Sequence, residues 1–255
     1  MPVLIGGVGE LYQSDLDLGR HAVERLAGAD LGPDVVVEEL HYGAVAVAQR
    51  LQDLQPESLL LVGAVEWGGA RGEVRRRLLR DPTPDPEDVQ AAVRDAAVGY
   101  VGIDLLLDVC AGFGVLPSRT VVLEVQPART GPGDEMSPEA RAALHQVVAA
   151  VRAEVRRRPL IEVVTALHER CAGDRLEPSP ALTTMRELLG ELDELDRTGH
   201  WGAAFARRDR LRLDIAGNRT SEGMEHLDWA LWWALIEELD RLQPLDAGLL
   251  GTDRG

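Results

Sequence analysis

Residues 3–26 read VLIGGVGELYQSDLDLGRHAVERL. An apolar run ends in glycines, an acidic loop follows, and Leu18 to Leu26 then carries apolar residues at helical spacing. A strand, a loop and a helix in this order open an α/β sheet. Glycines between a first strand and a helix also raise a dinucleotide site. That fingerprint needs G-x-G-x-x-G directly opening the helix and an acid closing the second strand. Here Gly6, Gly7 and Gly9 precede a long loop, the next glycine is Gly19, and the second strand ends Glu39-Leu40-His41. The loop does not read as a phosphate cradle.

The same pattern recurs downstream. Val35 to Leu40, Leu59 to Val65 and Thr120 to Val125 are short Val- and Leu-rich runs bounded by Gly, Pro or polar residues, as expected of strands buried on both faces. Helical periods lie at Ala44 to Leu54, within Pro86 to Cys110, and at Pro138 to Arg157. Ser137-Pro138-Glu139 is a helix start: a capping hydroxyl, a proline in the first turn, then an acid near the positive helix end. The expectation is a mostly parallel sheet flanked by helices. The charged stretch Arg71 to Arg80 and the connector Asp81-Pro-Thr-Pro-Asp-Pro86 read as a surface excursion.

Beyond Arg156-Arg-Arg-Pro159 strand-like runs stop. Leu160 to Cys171, Ala181 to Leu195 and Met224 to Leu242 are helical by period, and Trp201, Trp229, Trp232 and Trp233 are four of the five tryptophans. These features divide the chain into an α/β domain, 1–158, and an all-α C-terminal domain, 159–255. In the last helix Trp229, Trp232, Trp233 and Ile236 fall at i, i+3, i+4 and i+7. That stripe is either the core of a small bundle or a partner-binding surface, since tryptophan is enriched at binding hot spots.

Composition limits the function classes. The 255 residues are 45% hydrophobic and carry a formal net charge of −16. Nucleic acid and anionic membrane surfaces call for a basic face, so neither is an expected partner. No apolar run approaches the ~20 residues of a membrane span, and no secretory leader pattern is visible, so the expected location is cytoplasmic. Two cysteines, Cys110 and Cys171, make no disulfide or zinc pattern.

Several segments taken in order resemble the hydrogenase maturation proteases, endopeptidases that trim the C-terminus of nickel–iron hydrogenase large subunits. The family opens roughly G-x-G-N, two apolar residues, an acidic pair, and a glycine leading into (V/A)-x-x-L; this chain has Gly7-Val8-Gly9-Glu10, Leu11-Tyr12, Asp15, Gly19 and Ala22 to Leu26. Leu59 to Val65 resembles the third strand. Arg71-Gly72-Glu73-Val74 resembles the P-G-x-(V/I) loop, with Arg71 replacing the proline. Gly102-Ile103-Asp104-Leu105-Leu106 resembles G-L-x-x-(L/V)-L, Val122 to Pro127 resembles V-G-I-x-P, and Met136-Ser137-Pro138-Glu139 resembles L-S-P-E. The resemblance covers residues 3–158.

The resemblance implies a site for the nickel that arrives with the substrate, with no intrinsic cofactor. Its ligands would be an acid after the glycine loop, an Asp at the third strand's end and a His before the G-L helix, a donor set suited to a borderline divalent ion. By register those positions hold Leu16, Gly63 and Gly99, which have no donor atoms. Either the site has moved, with Asp15, Asp17, Glu66 and His41 converging as metal ligands, or the fold is kept for binding. The implied partner is a hydrogenase large subunit or another maturation factor. Three functions follow: a family member in hydrogenase assembly with a degenerate endopeptidase site, a noncatalytic scaffold, or an unrelated small-molecule-binding α/β protein. Thr165, Ser137 and Ser118 lack a nucleophile motif. His168 with Cys171, at i and i+3, reads as structural, and His200 and His226 take no role.

Overall fold

A computed structural model describes residues 2–80, 102–172, 179–218 and 229–242. They fall into two compact units, dividing after Val151.

In the first unit, β1 (Val3–Gly7), β2 (Val35–Glu39), β3 (Ser58–Ala64), β4 (Val74–Arg80) and β5 (Arg119–Val125) form one sheet, ordered β2-β1-β3-β5-β4. Strands β2, β1, β3 and β5 run parallel, and β4 pairs antiparallel to β5. Strands β1, β3 and β5 are buried on both faces, as continuous apolar runs require. Strand β2 is only half-buried along its length, because it lies at the sheet edge.

The stretch read as a charged excursion is β4. Its arginines are stabilised by a partner distant in sequence. Glu124 of β5 is completely buried and accepts from Arg75 Nε, from Arg77 Nε at 3.1 Å and from Arg77 Nη2 at 2.6 Å. Arg75 and Arg77 sit two residues apart and so share a face of the strand. Arg75 also stacks 4.2 Å over the Trp67 ring.

Helices α1 (Leu18–Leu26), α2 (Ala44–Leu54) and α3 (Ile103–Gly112) cover the sheet. Buried residues of α2 and α3 share one core with Leu4, Leu59, Leu61 and Val122. The glycines of the opening segment let α1 approach β1. A Cβ on Gly7 would lie 2.2 Å from the Gly19 carbonyl oxygen, and one on Gly19 would lie 2.1 Å from that of Val8. Only two glycines permit that contact.

Helix α4 (Pro138–Ala172) is continuous through Pro159, and the division between units falls inside it. Proline removes one helical bond. Buried Leu160, Ile161, Val164 and Leu167 keep the helix going beyond it. In the second unit, α5 (Pro180–Thr198), α6 (Trp201–Asn218) and α7 (Trp229–Arg241) complete a helical core with the end of α4. Helix α6 joins the three segments read from periodicity. The Asp81–Pro86 connector, Gly99 and His226 lie outside the described residues.

Candidate functional site

The sheet order places β1 between β2 and β3, so successive connections leave β1 in opposite directions. Ligands of open α/β sheets bind at such a switch point, beyond the carboxyl ends of the strands. A cleft of about 350 Å³ lies there. Val8 to Glu10 line it after β1, Ala64 to Glu66 after β3, and Gly102 to Leu105 at the start of α3; Leu16 completes it.

Of the three expected ligand positions, Leu16 lines this cleft and Gly63 immediately precedes the lining residue Ala64; neither carries a polar side chain. Gly63 is sealed: a Cβ there would sit 2.7 Å from the Val8 carbonyl oxygen and 2.7 Å from Ile103 Cδ1. Backbone on one side and a buried isoleucine on the other fill the volume an aspartate needs.

The relocated metal set does not assemble. Among the described residues, no three His, Cys, Asp or Glu side chains come together to hold a metal ion. Two of the four side chains are committed elsewhere. Asp15 is completely buried, and its Oδ2 accepts from the backbone N–H of Ala128 and of Arg129, each at 2.9 Å, and from the Ser137 hydroxyl at 2.8 Å. Its Oδ1 accepts from Ser137 N–H at 2.6 Å. Ser137 Oγ in turn accepts from Ala140 N–H at 3.1 Å, the cap expected at the start of α4. Asp15 is thus a structural clamp between the β1 loop and the entry to α4. Asp17 is forked onto Arg20 and holds that guanidinium above its usual pKa. His41 places Nδ1 3.2 Å from Glu39 Oε2. Of the four, Glu66 alone lines the cleft.

Three acidic residues, Glu10, Glu66 and Asp104, are among those that line the cleft. Sequence reasoning passed over Glu10 and Asp104, although both lie within motifs it had aligned. Asp104 accepts from Arg77 Nη2 at 2.7 Å, which links the rim through Arg77 to buried Glu124. Asp104 also occupies the first turn of α3, where its charge complements the helix dipole.

The other candidates lie apart from the cleft. Burial pushes the Cys110 thiol up to about 12, and burial also raises Cys171. Ser118 and Thr165 are exposed. Trp232 is 1% exposed and belongs to the core of the helical unit, which corrects its reading as a partner contact. Trp229 packs partly buried against that core. Leu235, Ile236 and Leu239 set the buried face of α7, and this rotates Trp233 outward to 45% exposure.

The first unit is thus a five-stranded, mostly parallel α/β sheet flanked by helices, with a cleft at its switch point. No protein-family profile matches the chain, and no curated protein matches it. Among solved structures, it is similar to a hydrogenase 2 maturation peptidase from a Thaumarchaeota archaeon, at 25% identity over 59% of this chain and 95% of that one, with a TM-score of 0.43. It is similar to the [NiFe] hydrogenase maturation protease HycI of Thermococcus kodakarensis, at 20% identity over 60% and 91%, with a TM-score of 0.44. It is also similar to the hydrogenase maturating endopeptidase HybD of E. coli, at 23% identity over 60% and 93%, with a TM-score of 0.41. No described helix is long and apolar enough to cross a membrane.

Proposed function

We propose that this chain acts in nickel–iron hydrogenase assembly as a cytoplasmic, maturation-protease-like protein whose endopeptidase site has been replaced by apolar packing. It binds a hydrogenase large subunit or a maturation factor without cutting it. The observation that carries this reading is the sealed position at Gly63, where Val8 and Ile103 occupy the space of a ligand side chain. Leu16 supports it from the adjacent wall. The ordered motif resemblance over residues 3–158 supplies the pathway. The cleft persists at the switch point with Leu16 and Gly63 at two of the family's ligand positions, and a cleft lacking that ligand set suits binding.

The test is to incubate purified protein with a nickel-loaded large-subunit precursor. The expected result is an uncut precursor that co-elutes with this chain on size exclusion. Shortening of the precursor would reinstate the peptidase. Absence of both cleavage and complex would remove the hydrogenase connection.

A further inference from the structure

The core of the helical unit uses only part of the tryptophan stripe. Trp232, Leu235, Ile236 and Leu239 of α7 are buried, while Trp233 is 45% exposed. On α6, Leu213 is 73% exposed. Both are large apolar groups on helix faces turned to water.

The two helices bring these faces side by side. Arg212 Nη1 of α6 lies 3.3 Å from Asp240 Oδ2 of α7. Further along α6, Ile215 and Ala216 line one shallow recess with Trp229, Trp232, Trp233 and Ile236. Residue numbers rise along α6 as they fall along α7, so the helices run antiparallel. Leu213, Ala216 and Gly217 stand at i, i+3 and i+4, one stripe of α6. Ala230, Trp233 and Glu237 stand at i, i+3 and i+7, one stripe of α7. All six are exposed. A Cβ on Gly217 would meet no atom within 4 Å. Trp233 is therefore a knob, and Ala216 with Gly217 leaves a hollow beside it.

Knob and hollow on the same face select the occupant. A two-fold axis parallel to the helices keeps each residue at its own height and lays α6 of one copy on α7 of the other. Groups that stand opposite each other in the hairpin of one chain then stand opposite each other across the interface. Trp233 of each copy meets Ala216 and Gly217 of the other, and Leu213, one turn away, is covered. Charge obeys the same symmetry. Arg210 and Arg212 lie toward the end of the hairpin where α7 carries Glu237 and Asp240, so cations of one copy face carboxylates of the other. Within the chain Arg210 lies 3.8 Å from Asp214, and Glu237 lies 3.9 Å from Arg241, long and exposed contacts that compete weakly with a new partner.

The size of the face sets the strength. The 13 residues of α7 rise about 20 Å, and two helices side by side span about 20 Å, a face of about 400 Å² from each chain. The pair would bury about 800 Å², below the ~1,200–2,000 Å² of stable complexes, as expected of reversible association. The net charge of −16 on each chain opposes pairing further at low ionic strength.

We propose that the α6–α7 hairpin is a self-association surface, on which two copies of this chain pair about a two-fold axis with Trp233 of each seated in the Ala216–Gly217 hollow of the other. This goes beyond the role in hydrogenase assembly and does not depend on it.

Sedimentation velocity of the full chain reads the association, at about 0.15 M salt to screen long-range repulsion. Between about 2 and about 200 µM the sedimentation coefficient is expected to rise from the monomer value toward that of a dimer and no further, because a two-fold contact closes at two copies. Trp233→Ala removes the knob and Ala216→Trp fills the hollow. Each should weaken association at least about tenfold while circular dichroism keeps the wild-type helical signal. Arg210→Glu/Arg212→Glu and Glu237→Arg/Asp240→Arg should each weaken it at least about fivefold, and an equimolar mixture of these two variants should recover it, since each α6 again faces an α7 of opposite charge. A monomer over the whole range overturns the proposal, as does growth beyond two copies. A dimer that Trp233→Ala and Ala216→Trp leave intact places the contact elsewhere and also overturns it. If either of those variants loses its helical signal, the charge pair decides: recovery on mixing supports the interface, and no recovery overturns it.

Discussion

Replacing Asp15 separates a structural clamp from a metal ligand. Its carboxylate accepts four hydrogen bonds, three at Oδ2 and one at Oδ1, in a site closed to solvent. Asp15→Asn keeps the shape but supplies one oxygen. With that oxygen at the Oδ2 position, the amide NH₂ faces Ser137 N–H, so one bond is lost and two donors oppose each other. The expected cost is about 2–3 kcal/mol, the scale of one hydrogen bond to a charged group plus an unsatisfied buried donor. Asp15→Ala strands all four donors and should cost about 4–5 kcal/mol. Because the protein has two units, one global unfolding transition is a poor measure. Amide hydrogen exchange by mass spectrometry resolves the clamp locally, and exchange should accelerate in peptides spanning residues 8–17 and 126–141. Ser137→Ala, which removes the hydroxyl that both donates to Asp15 and caps α4, should reproduce part of the effect, about 1–2 kcal/mol. Unchanged exchange in both Asp15 variants, combined with a loss of nickel affinity, would refute the clamp and restore the metal reading.

Three further outcomes are expected. Restoring an acid with Gly63→Asp should lower stability by about 2–3 kcal/mol and create no nickel site, since its Cβ would lie 2.7 Å from the Val8 carbonyl oxygen; thermal unfolding and a nickel titration check both halves. Trp232→Ala should cost about 3–5 kcal/mol in the helical unit, while Trp233→Ala should change stability by under about 1 kcal/mol, as chemical denaturation of each variant will show. Cys110 keeps its proton in the folded state up to about 12 and has an ordinary value of 9.0 when exposed. The stability due to burying the neutral thiol is therefore complete below pH 9 and lost as pH rises from there toward 12. Unfolding between pH 8 and 10.5 should steepen with pH in the wild type and less so in Cys110→Ala, and a maleimide should label the thiol only once urea is added.

Much of the α/β unit was legible because its central parallel strands are built mainly from apolar runs. Leu59 to Val62 and Val121 to Val125 need no partner information to be read as buried strands. The cap at Ser137 was equally plain, since capping chemistry is local. Strand β4 was not, because VRRRLLR is a strand only beside Glu124, which lies 47 and 49 residues beyond Arg77 and Arg75. The same holds for α4, whose passage through Pro159 depends on the packing of Leu160 to Leu167.

At the site, the sequence by itself determined that Leu16 and Gly63 bring no donor atoms, because side-chain chemistry is a property of the residue. It also supplied the acids, the apolar Leu11-Tyr12 pair and the tryptophan stripe. Only the tertiary structure decided where those groups point. Asp15 and Asp17 flank the cleft residue Leu16 in the chain, yet one is consumed by the start of α4 and the other by Arg20. Glu10, Glu66 and Asp104, from three separate segments, all line one cleft. Convergence belongs to the folded backbone: hydrogen bonds and packing over long sequence separations fix each side chain's direction, and no local pattern carries that direction.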